Sequence, residues 1–328
     1  MSPSAPGVAS TPEPSGLRFV VPAVSTTADG WTVQLTAERA GWRYSSLHVL
    51  DLPPGGSRTF QTGQQEMLVV PLRGAVHVAC GAQQLSLTGR ADVFSGPTDM
   101  AYLPRDTTVT LSSPADASIA LPGADARTTL PLRHIPAAAA PVELRGAGSA
   151  SRQVNNLATP GVLDTDRLIA CEVLTPGGNT SSWPPHRHDR TSDSESELEE
   201  IYYVLIAEAG SRSSSAAGDA TAAGHPTAAG MGYLRVYGES HRPIDVLTEV
   251  RSGDIVLVPH GWHGPAVALP GYDMYYLNVM AGPEPERAWR IVDDPAHGWV
   301  RGTWPEQAVD ARLPFYPRTI ELPTGAPR

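Results

Sequence analysis

The hexapeptide Pro184-Pro185-His186-Arg187-His188-Asp189 sets two imidazoles one residue apart. Side chains alternate between the faces of a strand with period two, so His186 and His188 point the same way and can meet on one ion. Glu200 opens the apolar run EIYYVLI and supplies a carboxylate. A third imidazole, His263, ends the stretch GDIVLVPHGWH, where a strand runs into a Pro/Gly turn. Three imidazoles and one carboxylate make a mixed nitrogen and oxygen set suited to a divalent transition metal: zinc first, with manganese, iron or nickel as alternatives. Four protein ligands leave positions open on an octahedral ion. A tetrahedral zinc would have to expand its shell or release a ligand before substrate could bind.

Two positions compete for these roles. His260 lies three residues before His263 and is its rival as third imidazole. Glu199 precedes Glu200 but points the other way, because Glu200 shares a face with Tyr202 and Val204. Glu199 is therefore expected in solvent or outside the ligand shell, and the acidic run TSDSESELEE is expected as a solvated loop. His48, His77, His134, His225, His241 and His297 have no comparable partners and read as ordinary surface or core residues.

The elements that must position this set are short strands. MLVVPL, AVHVAC, TTVTL, RLIACEVL, IYYVLI, YLRVY, DIVLVP and MYYLNVM are separated by Gly and Pro punctuation. That pattern predicts an all-β sandwich or barrel with few short helices. Helices are expected only around residues 284–292 and 305–311. The order of elements repeats once. Pro54-Gly55-Gly56, then Glu66 opening a strand, then Tyr102-Leu103-Pro104 match Pro176-Gly177-Gly178, Glu200 and Leu257-Val258-Pro259. Two similar barrels are predicted, residues 17–135 and 136–328, with a linker strand near 130–147. In the first, Phe60, Thr62 and Gln64 stand where the His pair should lie and Thr107 and Thr108 where His263 should lie, so it keeps Glu66 but not the site. Residues 1–16 read as a disordered tail, and the Ala/Ser/Gly/Thr-rich stretch near 207–230 as a mobile excursion.

The length of 328 residues fits two domains, and a formal net charge of −10 argues against non-specific nucleic-acid binding. No run approaches the roughly 20 apolar residues of a membrane span, and the N-terminus has no secretory pattern. Cys80 and Cys171 match no metal or redox spacing and are expected as buried free thiols in a cytoplasmic protein. There is no lysine, which excludes Schiff-base chemistry and the phosphate loop that ends in Gly-Lys.

ELRGAGSASRQVNNL (143–157), TPGGNTSSWPPHRHD (175–189), LEEIYY (198–203), PGYDMYYLNVMAGP (270–283) and DDPAHGW (293–299) together resemble the 5-deoxy-glucuronate isomerases of myo-inositol breakdown, a family of the cupin superfamily. The resemblance runs from about Gly41 to Trp299. It implies a bicupin of two jelly-roll barrels and an aldose–ketose isomerase that converts 5-deoxy-D-glucuronate to 2-deoxy-5-keto-D-gluconate. A related uronate isomerase of pectin breakdown holds three His and one Glu, which map onto His186, His188, Glu200 and His263. A metal acting as Lewis acid would stabilise the enediolate or the alkoxide of a hydride shift. Tyr202, or another barrel-lining group near Glu200, would assist as base. Arg152 and Arg235 are candidates to clamp the sugar-acid carboxylate. The chain departs from the family at Val204, where a polar residue is usual, and in the length of the 207–230 insertion. A metal-dependent dioxygenase and a non-enzymatic sugar-binding cupin are the alternatives. A homo-oligomer is compatible with barrels that leave edges exposed.

Overall fold

The computed structural model describes residues 17–25, 27–210 and 229–316. The expected tail and most of the expected excursion near 207–230 lie outside the described residues. What is described is all-β, with a single four-residue α-helix, Ala37–Ala40, and short 3-10 turns.

Residues 33–135 form one nine-stranded assembly. Its main layer runs Arg133–Ile135, Met100–Leu103, Gln65–Cys80, Ala117–Asp125, Ser45–Leu52, Val33–Leu35. MLVVPL and AVHVAC, read as two strands, are one 16-residue strand, Gln65–Cys80. It is bent between layers by register shifts at Pro71/Arg73 and Gly74/Val76. Proline cannot donate to the ladder and bulges turn a strand, so the Pro-Leu-Arg-Gly sequence makes a corner rather than a break.

The second half has two facing sheets. The first runs Ile255–Val258, Glu199–Glu208, Tyr272–Ala281, Ile169–Thr175, Arg152–Asn156, Val142–Arg145. Its first five strands follow the same order of connection as Met100–Leu103, Gln65–Cys80, Ala117–Asp125, Ser45–Leu52 and Val33–Leu35 of the first half. The second sheet runs Arg242–Val250, Gly232–Glu239, Trp262–Ala268, His186–Arg187, Val292–Asp293, with Thr180–Ser181 beside Trp262–Ala268. The expected helix at 284–292 is absent; that segment is irregular, and a nine-residue 3-10 helix spans Gly298–Glu306 instead. The proline-rich PEPERAW lacks the apolar periodicity a helix needs.

The edge strand Val20–Val21 lies before the first barrel in sequence, yet it pairs with Ile255–Val258 of the second. The seam between the halves is a core in its own right. Leu47, Val49, Leu68 and Val70 pack there with Ile201, Tyr203, Leu277 and Val279, while Leu50, Leu52, Met67 and Val69 fill the first barrel separately. Across the seam the buried Glu172 carboxylate takes Arg90, the Tyr275 hydroxyl at 3.0 Å and Asn155 Nδ2 at 2.9 Å. A buried charge is tolerated when it is paired and its lone pairs are filled.

Candidate metal centre

His188, Glu200 and His263 come together inside the second barrel, their ligating atoms all within 4.8 Å of one another. Glu200 Oε2 lies 3.1 Å from Nε2 of His188 and 3.1 Å from Nε2 of His263. All three residues are buried. His186 sits directly opposite His263 in the strand register. Its ring centroid is 4.4 Å from that of His263 and 6.4 Å from that of His188. The three imidazoles and the carboxylate are thus brought to one place, with His186 at its margin. His263 is in the buried group and His260, half-buried, is not.

Local structure fixes this geometry. The His186 strand is held between Trp262–Ala268 and Val292–Asp293. The Asp189 carboxylate accepts the Gly261 N–H at 2.7 Å, tying the HRHD segment to the turn that delivers His263. Gly261 (φ +88°) and Gly264 (φ +106°) let that turn pass close to its neighbours; a Cβ on Gly264 would stand 1.8 Å from the Ser182 carbonyl oxygen. Nδ1 of His186 lies 3.4 Å from the Pro184 carbonyl and Nδ1 of His263 lies 3.3 Å from the Gly261 carbonyl. With the proton on Nδ1, each Nε2 presents a lone pair, the arrangement that orients metal-ligating histidines.

Electrostatics agrees with a cation-binding role. Burial, aided by repulsion from His188, lowers the His186 pKa to about 3. Burial, then His186, holds His263 well below its usual value. For His188 burial opposes protonation, but the Glu200 carboxylate more than offsets it and the pKa lies above the usual value. His263 Nε2 is buried and, despite its proximity to Glu200, has no partner in hydrogen-bond geometry. A buried donor set of this composition, with a nitrogen lone pair unmatched, fits a divalent transition metal.

The rest of the barrel wall follows from the register. Glu200, Tyr202, Asn278, Tyr276, Cys171, Asn156, Arg152 and Arg145 occupy alternating positions on the inner face of one sheet. The Tyr202 and Tyr276 hydroxyls each lie 3.1 Å from Ser182 Oγ. Ser182 has φ +47°, a conformation uncommon for a residue with a Cβ and worth noting beside a functional site. Burial, then the nearby Glu200 charge, pushes the Tyr202 hydroxyl well above the usual tyrosine range.

Arg152 is fully buried, and its one recorded hydrogen bond is to the Ala150 carbonyl at 3.2 Å. Among the described residues no carboxylate forms an ion pair with it. Burial, with the nearby Arg145 and Arg301 charges adding to it, lowers its pKa to about 10. Arg235, the other clamp candidate, belongs elsewhere. Its neighbours Leu234 and Val236 are buried, so alternation turns Arg235 to the outer face of the second sheet, where it pairs with Asp245 and the Val246 carbonyl. Arg235, expected as a candidate clamp for the carboxylate, lies apart from the His and Glu cluster.

Two further expectations change. The acidic loop is not simply solvated: Glu195 is buried and accepts the Asp189 N–H at 2.9 Å. Glu199 is not free either, and receives the backbone N–H groups of Arg43, Tyr44 and Ser45 at 2.8–2.9 Å. Arg145, Arg301, Trp304, Ser182 and Asn278 were not singled out as site residues from sequence. Arg145 was within reach, two residues into the ELRGAGSASRQVNNL segment.

Known proteins resemble this chain over most of its length. A 5-deoxy-glucuronate isomerase of Geobacillus kaustophilus is 37% identical over 86% of this chain and 95% of its own length. One from Bacillus subtilis is 34% identical over 81% of this chain and 91% of its own. The crystal structure of an IolB-like protein from Salmonella typhimurium superposes with a TM-score of 0.74 at 30% identity, covering 86% of this chain and 99% of that one. An oxalate decarboxylase of Lactobacillus farciminis, at 9% identity, covers 79% of this chain and 82% of its own with a TM-score of 0.54, a likeness of all-β fold. The KduI/IolB family matches residues 19–300, and the chain belongs to it.

Proposed function

We propose that this chain is the cytoplasmic isomerase that converts 5-deoxy-D-glucuronate to 2-deoxy-5-keto-D-gluconate in myo-inositol breakdown. What supports the reading is a buried cluster of His188, Glu200 and His263 with His186 at its margin, beside an arginine that forms no ion pair among the described residues, in a chain whose relatives bear that enzyme name. The two barrels divide the labour near residues 130–147: the first supports and the second reacts.

His186, His188, Glu200 and His263 would hold the metal, with zinc the first choice. A divalent ion there supplies Lewis acidity toward a carbonyl oxygen and its neighbouring hydroxyl. Arg152 binds the substrate carboxylate. A buried guanidinium without an anionic partner is unfavourable in the empty protein and becomes satisfied when the sugar acid enters. Tyr202 keeps its proton at neutral pH because burial and Glu200 oppose its ionisation. Its hydroxyl therefore serves first as a hydrogen-bond donor toward a developing oxyanion, with Ser182 and Tyr276 orienting it. Burial of His188, Glu200, His263 and Tyr202 strengthens each of these interactions. The free thiols Cys80 and Cys171 accord with a reducing compartment.

The test is a proton NMR time course with 5-deoxy-D-glucuronate on protein as purified, after chelation, and after adding back zinc or manganese. Conversion that stops on chelation and resumes with metal supports the assignment. A folded, metal-loaded protein that leaves the substrate unchanged sinks it.

A further inference from the structure

The Gly298–Glu306 segment lies outside the barrel strands, yet it is anchored at both ends to the elements that carry the site. At its start, both oxygens of Asp293 are engaged by Arg301, one of them at 2.7 Å, and Asp293 stands opposite His186 in the strand register. Beyond its end, the Ala308 carbonyl accepts the Gly148 N–H at 2.8 Å, and the Asp310 N–H donates to Ser151 Oγ at 3.0 Å. Gly148 and Ser151 lead directly into Arg152. The segment thus bridges the strand of His186 to the strand of Arg152.

Between those anchors Trp304 meets two cations. Arg152 Cζ is 5.5 Å and Arg301 Cζ 5.1 Å from its ring centroid. The aromatic face offsets part of the repulsion between like charges gathered around it. Trp304 Nε1 is buried and has no hydrogen-bond partner. Asn278 Nδ2 and Trp289 Nε1 are likewise buried donors without partners, whereas the unmatched His263 Nε2 belongs to the metal cluster. Arg145 Cζ lies 5.3 Å from the Trp289 ring, repeating the pairing of a guanidinium with an indole. Glu143 is paired to Arg145 at 2.8 Å, while Arg152 forms no ion pair among the described residues. Buried N–H groups without partners beside that guanidinium are complementary to an anion rich in acceptor oxygens.

We propose that Trp304 and Arg301 complete the carboxylate-binding wall with Arg152, Trp304 donating its indole N–H to the carboxylate and Arg301, itself paired to Asp293, holding the ring in place. This deepens the sugar-acid reading and rests on it. Trp304 is a contact residue in this scheme, and Arg301 is a positioning residue that acts through it.

The experiment compares wild type, Trp304→Phe and Arg301→Gln. Each is measured for metal content, for turnover of 5-deoxy-D-glucuronate and of its uncharged C6 alcohol, and by calorimetry with D-glucuronate and D-glucose. Trp304→Phe removes the donor and keeps a smaller aromatic face for the two guanidinium groups. With normal metal content, its KM for the acid is expected to rise about tenfold, the worth of a hydrogen bond to a charged group, while kcat falls far less and the alcohol is unaffected. Arg301→Gln is expected to show the same bias toward the acid. Equal losses on acid and alcohol, or no loss at all, overturn the proposal. If wild type turns over neither sugar, the isomerase reading fails, and calorimetry still decides the wall: a preference for D-glucuronate over D-glucose that Trp304→Phe weakens sustains it, and identical titrations end it.

Discussion

Glu66 and Glu199 perform the same task in opposite directions. Glu199, at the start of a second-barrel strand, gathers the N–H groups of residues 43–45 as they enter the first barrel. Glu66, at the start of a first-barrel strand, gathers the N–H groups of Asp166, Arg167 and Leu168 at 2.6–2.8 Å as they enter the second, and takes the Tyr102 hydroxyl as well. Glu66 shares its face with Leu68 and Val70, which pack into the seam. Its counterpart is therefore Glu199, and Met67 stands where Glu200 would be. The first barrel retains no ligand at all. Glu66→Ala should lower unfolding stability by more than about 2 kcal/mol in a denaturant titration, since it strands several donors at once. Bound metal, measured by elemental analysis on the folded variant, should stay at the wild-type level.

Glu200→Gln should behave in the reverse way. It removes the charge that both His188 and His263 approach, so bound metal and turnover should fall together, turnover by more than about 100-fold, with modest change in stability. His260→Gln should retain both metal and turnover. A Glu200→Gln protein with near-normal activity would remove Glu200 from the ligand set.

Asp189 shapes the ligand cluster without joining it. Asp189→Ala leaves the Gly261 N–H unmet and loosens the turn that presents His263. Competition with a chromogenic chelator should show metal affinity reduced about 10- to 100-fold, the usual effect of losing such an orienting partner.

Arg152→Met should separate stability from activity. A flexible apolar side chain of similar reach removes an unpaired buried cation, so the thermal midpoint should rise while kcat/KM for the sugar acid drops by about 100-fold or more. Arg235→Met, on the outer face, should leave kcat/KM within about twofold. Equal losses from both variants would refute the assignment of Arg152 to the carboxylate.

His48 predicts a pH dependence of stability away from the reactive centre. It lies inside the first barrel against Trp31, with Arg58 nearby. Burial, then the Arg58 charge, lowers its pKa from 6.5 to about 4. The unfolded chain binds a proton between those values and the folded one does not. His48 therefore adds no penalty above pH 6.5, and stability falls as pH drops toward 4, by at most about 3 kcal/mol. Urea titrations of His48→Leu should show a shallower loss across that interval than wild type.

Sequence spacing reached the side chains that the fold gathers, because period two and a Pro/Gly turn are local properties. It needed the strand register to decide between neighbours. Glu199 and Glu200 differ only in the face they present, and the repeat was aligned one residue out because Glu66 and Glu200 both open strands. Arg152 and Arg235 looked equivalent as strand arginines; only the burial of Leu234 and Val236 shows that Arg235 faces outward. Arg301 and Trp304 lie in a segment without a repeating pattern, and they reach the site through Asp293 and Arg152, contacts distant in sequence that no periodicity encodes.

The Val20–Val21 strand carries a consequence for anyone who would dissect the molecule. A gene cut in the 130–147 linker would strip the second barrel of its outermost strand, leaving the backbone of Ile255–Val258 open to pairing with another chain. The same cut would leave Glu66 and Glu199 each facing an absent receptor. The half that carries the chemistry is thus expected to aggregate when expressed alone, and the unreactive half persists as a built-in chaperone for its twin.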